Sequence, residues 1–417
     1  MDIPGLPARK GALKLIDAVL NRGETLDQAS NAALLGIKGQ ADRALAKALA
    51  GEALRWLTDL DALIDSATRL VLAHDAKVRS VLRLMLAGWM RLETPPHAVI
   101  ATALPLLVGG PRRLAHGVFS TLVKRAVTLP ATPTLPAEVA ARWGERAGAI
   151  ASGLGHLPAL DLALRDPAET ADWAERLGGV SLAPGHVRLG RGTAVENLEG
   201  YDAGAWWVQD LAASLPARLL GAGANDLGSR TVLDLCAAPG GKTLQLAAAG
   251  AAVTALDISG PRMALVAENL ARTGLAARLV TADALHWQPE ALFDAVLLDA
   301  PCSASGTIRR HPDLPFVKHG AEIPGLVALQ TQLFDRALTC LKPGGRLVYV
   351  TCSLLPEEGE AQLAAAVQRH PDLRVMRPTL TGIPEQWFTI AGGLRLRPDY
   401  WADLGGMDGF FMACVTR

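Results

Sequence analysis

Cysteine is scarce: five occur in 417 residues, scattered singly and with no C-x-x-C pair. An odd, dispersed set gives neither a disulfide framework nor zinc-ligand spacing, and it fits reduced thiols in a cytoplasm. No metal site is expected. No run of about eighteen apolar residues is present to span a membrane. The opening "MDIPGLPARKGALK" lacks a basic segment followed by an apolar one, so no signal peptide is expected. Net charge is also lacking, since 41 Lys+Arg meet 41 Asp+Glu. That balance hides an asymmetry. Residues 1–130 carry 17 basic against 11 acidic side chains, and the remainder carries 24 against 30. A basic front on a neutral chain suits an anionic partner such as nucleic acid, although a solvated helical surface has the same signature. Lysine is sparse beside arginine, 9 against 32.

What is there points to several domains. The chain is too long for one ordinary core, and its half-apolar, one-fifth-charged composition is that of a globular protein. Val78, Val81, Leu82, Met85, Leu86 and Trp89 recur at helical spacing, as do Leu45, Leu49, Trp56, Leu60 and Ile64. With breaks at "NRGET", "ETPPH" and "VGGPRR", this predicts five to seven short helices ending near Val127. "TLPATPTLPAE" reads as a linker. Beyond it, "AEVAARWGERAGAIASGL" and "PAETADWAERLGG" look helical, and "YDAGAWWVQDLAASLPARLL" looks like a loop entering a helix. From Thr231 the pattern becomes strand–helix alternation, with strands expected in "TVLDL", "AVTALD", "ARLVTA", "FDAVLLD", "GRLVYVTC" and "GFFMACVT". Such alternation predicts a parallel sheet covered on both faces.

"VLDLCAAPGGKT" follows the first of these strands and opens a helix. Gly240 and Gly241 let backbone approach a ligand, and the helix start offers free N–H groups. A phosphate-binding P-loop is excluded, because the glycine it needs five positions before Gly241 is Cys236. Three carboxylates then follow at the ends of successive strands: Asp257, Asp283 and Asp299. Each alone is an ordinary cap or turn residue. Together they line the edge where such sheets bind nucleotides, with Asp257 accepting from ribose hydroxyls and Asp283 from an adenine amino group. An adenosine-containing cofactor without a phosphate cradle is implied, and S-adenosylmethionine fits it.

"DLCAAPGGKT", "DAPCSASGTIRRHPD" and "TCSLLPEEGE", in this order and spacing, resemble the RNA cytosine-5 methyltransferases of the Nol/Nop/Sun family, nearest its bacterial ribosomal Sun/Fmu branch. The front, with "ARKGALKLIDAVLNRGETLDQA", resembles the NusB-like RNA-binding domain of that branch. The resemblance implies an all-α NusB-like bundle over residues 1–130. It further implies a linker and RNA-binding middle segment over 131–225, and a Rossmann-like S-adenosylmethionine-dependent methyltransferase domain over 226–417. It implies that Cys352 is the nucleophile adding to carbon-6 of cytosine, and that Cys302 assists breakdown of the adduct. Carbon-5 is too weak a nucleophile to be methylated without such addition.

Asp299 is expected to face the cytosine ring nitrogen and to share in cofactor binding. The loop of Cys236, Ala237, Ala238, Pro239, Gly240, Gly241 and Lys242 is expected to hold the cofactor with Asp257 and Asp283, Lys242 also reaching the base. Arg309, Arg310 and Lys318 are expected on RNA backbone. The thiols of Cys236, Cys340 and Cys414 read as packing groups, Ser303 and Ser353 as helix caps, and His311 as structural for want of an acid partner. Two places depart from the family pattern. Phe119 in "GVFSTLVKR" stands where an asparagine is usual, and "LDLALRD" stands where a Leu-Arg-Val-Asn strand is usual. The RNA is expected to be 16S small-subunit rRNA, met naked or in a partly assembled particle by a monomeric enzyme. A tRNA substrate, or a non-catalytic assembly or antitermination factor with a degenerate methylase, are the alternatives.

Overall fold

The computed structural model describes residues 3–155, 157–190, 194–221, 227–318, 320–377 and 379–417. The chain divides into two compact units, one of residues 1–157 with 308–319 and the other of 158–307 with 320–417. The stretch 131–225, expected as one middle piece, is thus divided after Leu157 between the two. The expected boundary at 225–226 lies outside the described residues.

The first unit is helical, with helices Leu6–Arg22, Leu26–Ala33, Gln40–Arg55, Leu57–Ser66, Lys77–Met90, Pro96–Ala103 and Gly109–Lys124. Thr25 opens the second with a capping box to Gln28. The predicted apolar stripe of Lys77–Met90 faces inward: Val81, Leu82, Met85 and Leu86 are fully buried beside Leu15, Ile16 and Leu49. "VGGPRR" falls at the expected break, where Val108 is the N-cap of the next helix. Its glycines and Pro111 form the first turn of Gly109–Lys124, where proline forfeits no intrahelical bond. Phe119, the departure from the family pattern, is fully buried and meets Trp89 edge-on at 5.8 Å. Segment 131–155 belongs here, as Thr134 donates its N–H and O–H to the Asp59 carboxylate and Arg55 donates to the Leu154 carbonyl. So does 308–319: Arg55 donates to the Arg309 carbonyl at 2.8 Å, and Asp313 accepts the Leu26 N–H at 2.9 Å.

The second unit begins with a small antiparallel sheet of β1 (Leu160–Leu164), β2 (His186–Leu189) and β3 (Trp206–Val208), in the order β2-β1-β3. The alternation of strand side chains gives this sheet two jobs. Leu162, Leu164 and Trp206 pack with Trp173 on one face, while Ala163 and Trp207 join Ala237, Ala238 and Val266 on the other. β3 lies in a stretch that the sequence suggested was loop.

The large sheet contains β4 (Thr231–Leu235), β5 (Ala252–Asp257), β6 (Arg278–Thr281), β7 (Phe293–Asp299), β8 (Leu341–Thr351), β9 (Arg374–Met376), β10 (Leu394–Leu396) and β11 (Phe410–Thr416). Its order is β10-β11-β8-β7-β4-β5-β6, with β9 also pairing β11. β4 to β8 run parallel, and β11 returns antiparallel beside β8. Helices cover both faces, as the near-continuous burial of β4, β5 and β8 requires. The chain steps from β4 to β5 and β6 on one side, then returns to place β7 on the other. The resulting switch point lies at the carboxyl ends of β4 and β7, where such sheets hold ligands. Among the described residues no helix is long and apolar enough to cross a membrane.

Candidate active site

The loop after β4 is shaped by its backbone. Cys236 and Gly240 both have positive φ, 60° and 105°, and a Cβ at Gly240 would lie 3.1 Å from Val266. Gly240 thus lets the helix Gly241–Ala248 start tight against the neighbouring helix. Asp257, ending β5, is 2 % exposed; one oxygen accepts the Ser259 N–H at 2.9 Å and the other the Ala238 N–H at 3.2 Å. The oxygen bonded to Ser259 keeps a second lone pair, and the other is shared between Ala238 and the Arg262 guanidinium at 3.4 Å, a long contact to an exposed side chain that a ribose hydroxyl can displace. Asp283 follows β6 and is more open. It accepts the Leu285 N–H and pairs with His286 at 2.7 Å, contacts that hold its pKa below the usual value. The two carboxylates on this rim suit the hydroxyl and amino donors of an adenosine group.

Asp299 ends β7, and the Lys242 ammonium lies 2.7 Å from its carboxylate. Burial disfavours the lysine charge, but Asp299 outweighs it and, with Asp234, raises the Lys242 pKa. Lys242 also sits 5.7 Å from the centre of the Phe410 ring. Asp234, fully buried in β4, takes a 2.6 Å bond from Thr243, and burial pushes its pKa up to about 7.

Beyond Asp299 and β8 the two singled-out thiols converge: Cys302 Sγ and Cys352 Sγ are 3.4 Å apart. Fifty residues separate them in sequence, and parallel pairing of β7 with β8, Asp299 opposite Val350, brings their loops side by side. Gly306 donates to the Cys352 carbonyl at 2.9 Å and accepts from Gly409 at 2.8 Å. A Cβ there would stand 1.9 Å from the Gly409 oxygen, so only glycine permits this approach. The Cys302 thiol is held well above the ordinary thiol range, through its bond to Cys352 and then through burial.

The sequence reading missed Glu358, which is fully buried behind both cysteines and accepts from Ser303 and Gln330. Within "LLPEEGE" it reads as one of several surface acids, and only tertiary structure sets it apart. Ser303 and Ser353 are not helix caps; their hydroxyls meet each other at 3.2 Å. Cys236 is half-buried, and desolvation followed by the nearby Asp299, Asp257 and Asp234 pushes its thiol up to about 12, while Cys340 and Cys414 are buried in the sheet's packing.

The basic residues expected on RNA divide differently. Arg309 is 2 % exposed, at odds with a phosphate contact, whereas Arg310 is exposed and Lys318 half-buried. His311 does face an acid, with Asp27 at 3.7 Å.

Residues 225–416 match the family model described as 16S rRNA methyltransferase RsmB/F, and residues 6–108 match that of the NusB family. The ribosomal RNA small subunit methyltransferase B of Sodalis glossinidius is 34 % identical, over 97 % of this chain and 96 % of its own length. The protein of the same description from Xanthomonas campestris is 33 % identical, over 99 % and 98 %. Among solved structures, a methyltransferase homolog from Pyrococcus horikoshii is 29 % identical with a TM-score of 0.53, over 67 % of this chain and 92 % of that one.

Proposed function

The chain belongs to the ribosomal RNA small subunit methyltransferase B family, and from that premise we propose that it methylates carbon-5 of a cytosine in 16S rRNA through a covalent adduct on Cys352. The enzyme is an RNA methyltransferase, and S-adenosylmethionine supplies the methyl group. The observation that carries the two-thiol reading is the 3.4 Å Cys302–Cys352 pair beside the Lys242–Asp299 ion pair, at the carboxyl edge of a parallel sheet.

The roles follow from charge. Cys352, as its thiolate, is the form that adds to carbon-6. Addition drives electron density onto the ring's nitrogen side. There Lys242 provides the donor, and Asp299, held in the ion pair with it, accepts from the exocyclic amine. With carbon-5 methylated and its proton lost to water, the carbon–sulfur bond breaks to restore the ring. Donation from Cys302 to the departing Cys352 sulfur eases that step. Asp257, Asp283 and the loop 236–241 hold the cofactor. The helical unit, with its basic excess, and the exposed Arg310 bind RNA backbone, in the cytoplasm and within a partly assembled small subunit.

Transfer of tritiated methyl groups to small subunits, naked 16S rRNA and tRNA from cells lacking the protein tests this reading. Labelled 5-methylcytosine in 16S rRNA is the expected product. Labelling of tRNA alone would replace the substrate, and no labelling of any RNA would refute the catalytic reading.

A further inference from the structure

Both chain neighbours of Cys302 are tied to Glu358, Ser303 directly and Pro301 through Gln330. Ser303 gives Glu358 its N–H at 2.8 Å and its O–H at 2.5 Å. On the other side, Gln330 donates to the Pro301 carbonyl at 2.9 Å and to Glu358 at 3.0 Å. Glu358 is equally bound to the opposite loop. Its main-chain carbonyl accepts from Thr351, the residue before Cys352, at 3.1 Å and from Tyr349 at 2.9 Å. Ser353, the residue after Cys352, bonds Ser303 at 3.2 Å. Both Glu358 and Gln330 are fully buried, and among the described contacts the carboxylate is met by neutral donors alone. A buried charge without a cation is costly to keep. A purely apolar plug would pack these loops without that cost, so the arrangement points to a demand for fixed geometry.

We propose that Glu358 is a positioning residue that clamps the Cys302 loop to the Cys352 loop and so sets the separation of the two sulfurs. Cys302 acts on Cys352 only at hydrogen-bond range, and a 1 Å error in such a contact is enough to lose it. Attack by Cys352 needs no such contact. Loosening the clamp therefore slows release of the methylated base and leaves adduct formation standing. This inference rests on the two-thiol reading, and the test separates them.

The test uses the full chain with S-adenosylmethionine and unmethylated small subunits, reading covalent RNA–protein species on denaturing gels beside cofactor affinity by calorimetry. Glu358→Gln is close to isosteric and retains one acceptor oxygen, and Ser303→Ala removes the O–H side of the clamp without touching Glu358. Both are expected to accumulate adduct and to turn over at least tenfold more slowly, with cofactor affinity within twofold of the parent. Glu358→Gln combined with Cys302→Ala should behave as Cys302→Ala alone, because residues acting as one unit are not additive. Parent-like turnover in both single variants would overturn the inference, as would loss of adduct together with loss of cofactor binding. If Cys302→Ala itself formed no adduct, the two-thiol reading would fall and this inference with it; adduct in Cys302→Ala but not in Glu358→Gln removes the inference alone.

Discussion

Removing the carboxylate of Asp257 should cost cofactor affinity far more than it costs the fold. In the free enzyme this side chain bonds the N–H groups of Ala238 and Ser259 and pairs with the exposed Arg262 guanidinium at 3.4 Å, which water can take over. Ser259 is half-buried and water can replace its partner, whereas Ala238 is 4 % exposed and its donor would be stranded. A stranded buried donor costs about 1–3 kcal/mol, within the roughly 5–15 kcal/mol that holds a domain folded. Asp257→Ala should therefore melt a few degrees low and remain folded. In the cofactor complex the same substitution removes a charged acceptor from two ribose hydroxyls. One charge-assisted bond is worth about 1.5–3 kcal/mol, and shared acceptors do not add fully, so a loss of about 3 kcal/mol is expected. That is roughly a hundredfold in Kd. Calorimetric titration with S-adenosylmethionine, alongside a melting curve, measures both quantities. A folded variant with parental affinity would refute the ribose assignment.

Cys352→Ala should be inactive and form no adduct while binding cofactor normally, whereas Cys302→Ala should leave RNA covalently attached, visible as a retarded band on denaturing gels. Asp234→Asn should stabilise the protein in a pH-dependent way. The folded pKa of Asp234 is raised from 3.8 to about 7, so parental stability is full below the unfolded value and declines as pH rises toward 7. The gain in Tm of the variant over the parent should accordingly be near zero at about pH 4 and largest above about pH 7. Asp313→Ala strands the Leu26 N–H, and hydrogen exchange of the helix Leu26–Ala33 should quicken severalfold. RNA affinity of the full chain should fall steeply with salt, and Arg310→Ala, unlike Arg309→Ala, should lower the salt slope by about one.

The sheet was legible because its central strands carry dense apolar runs that end in Asp257 and Asp299, and because turn residues punctuate them. Strands of three residues, at 206–208, 374–376 and 394–396, have too little pattern to declare themselves. Their existence depends on a partner strand already in place. The two cysteines were recognisable from their motifs, and only the β7–β8 register makes them neighbours. Glu358 was hidden for a complementary reason: an acid among acids looks solvated, and its burial arises from Gln330 and Ser303, residues distant in the chain. Arg309 erred the other way. A basic loop reads as exposed, yet its carbonyl is fixed by Arg55, about 250 positions earlier, and the side chain is drawn inside with it.

The segment 308–319 has a consequence for the order in which the chain is made. Most of the helical unit has left the ribosome once residue 157 emerges, but the strand of chain that supplies Asp313 to the Leu26 N–H and the Arg309 carbonyl to Arg55 is translated much later. At roughly 5–20 residues per second, that delay is about ten to thirty seconds. Throughout it the helices must persist with water, or a chaperone, in the seat of their last segment. That segment can arrive only after β4 to β7 have been synthesised, so the helical unit is begun before the sheet and finished after most of its parallel strands.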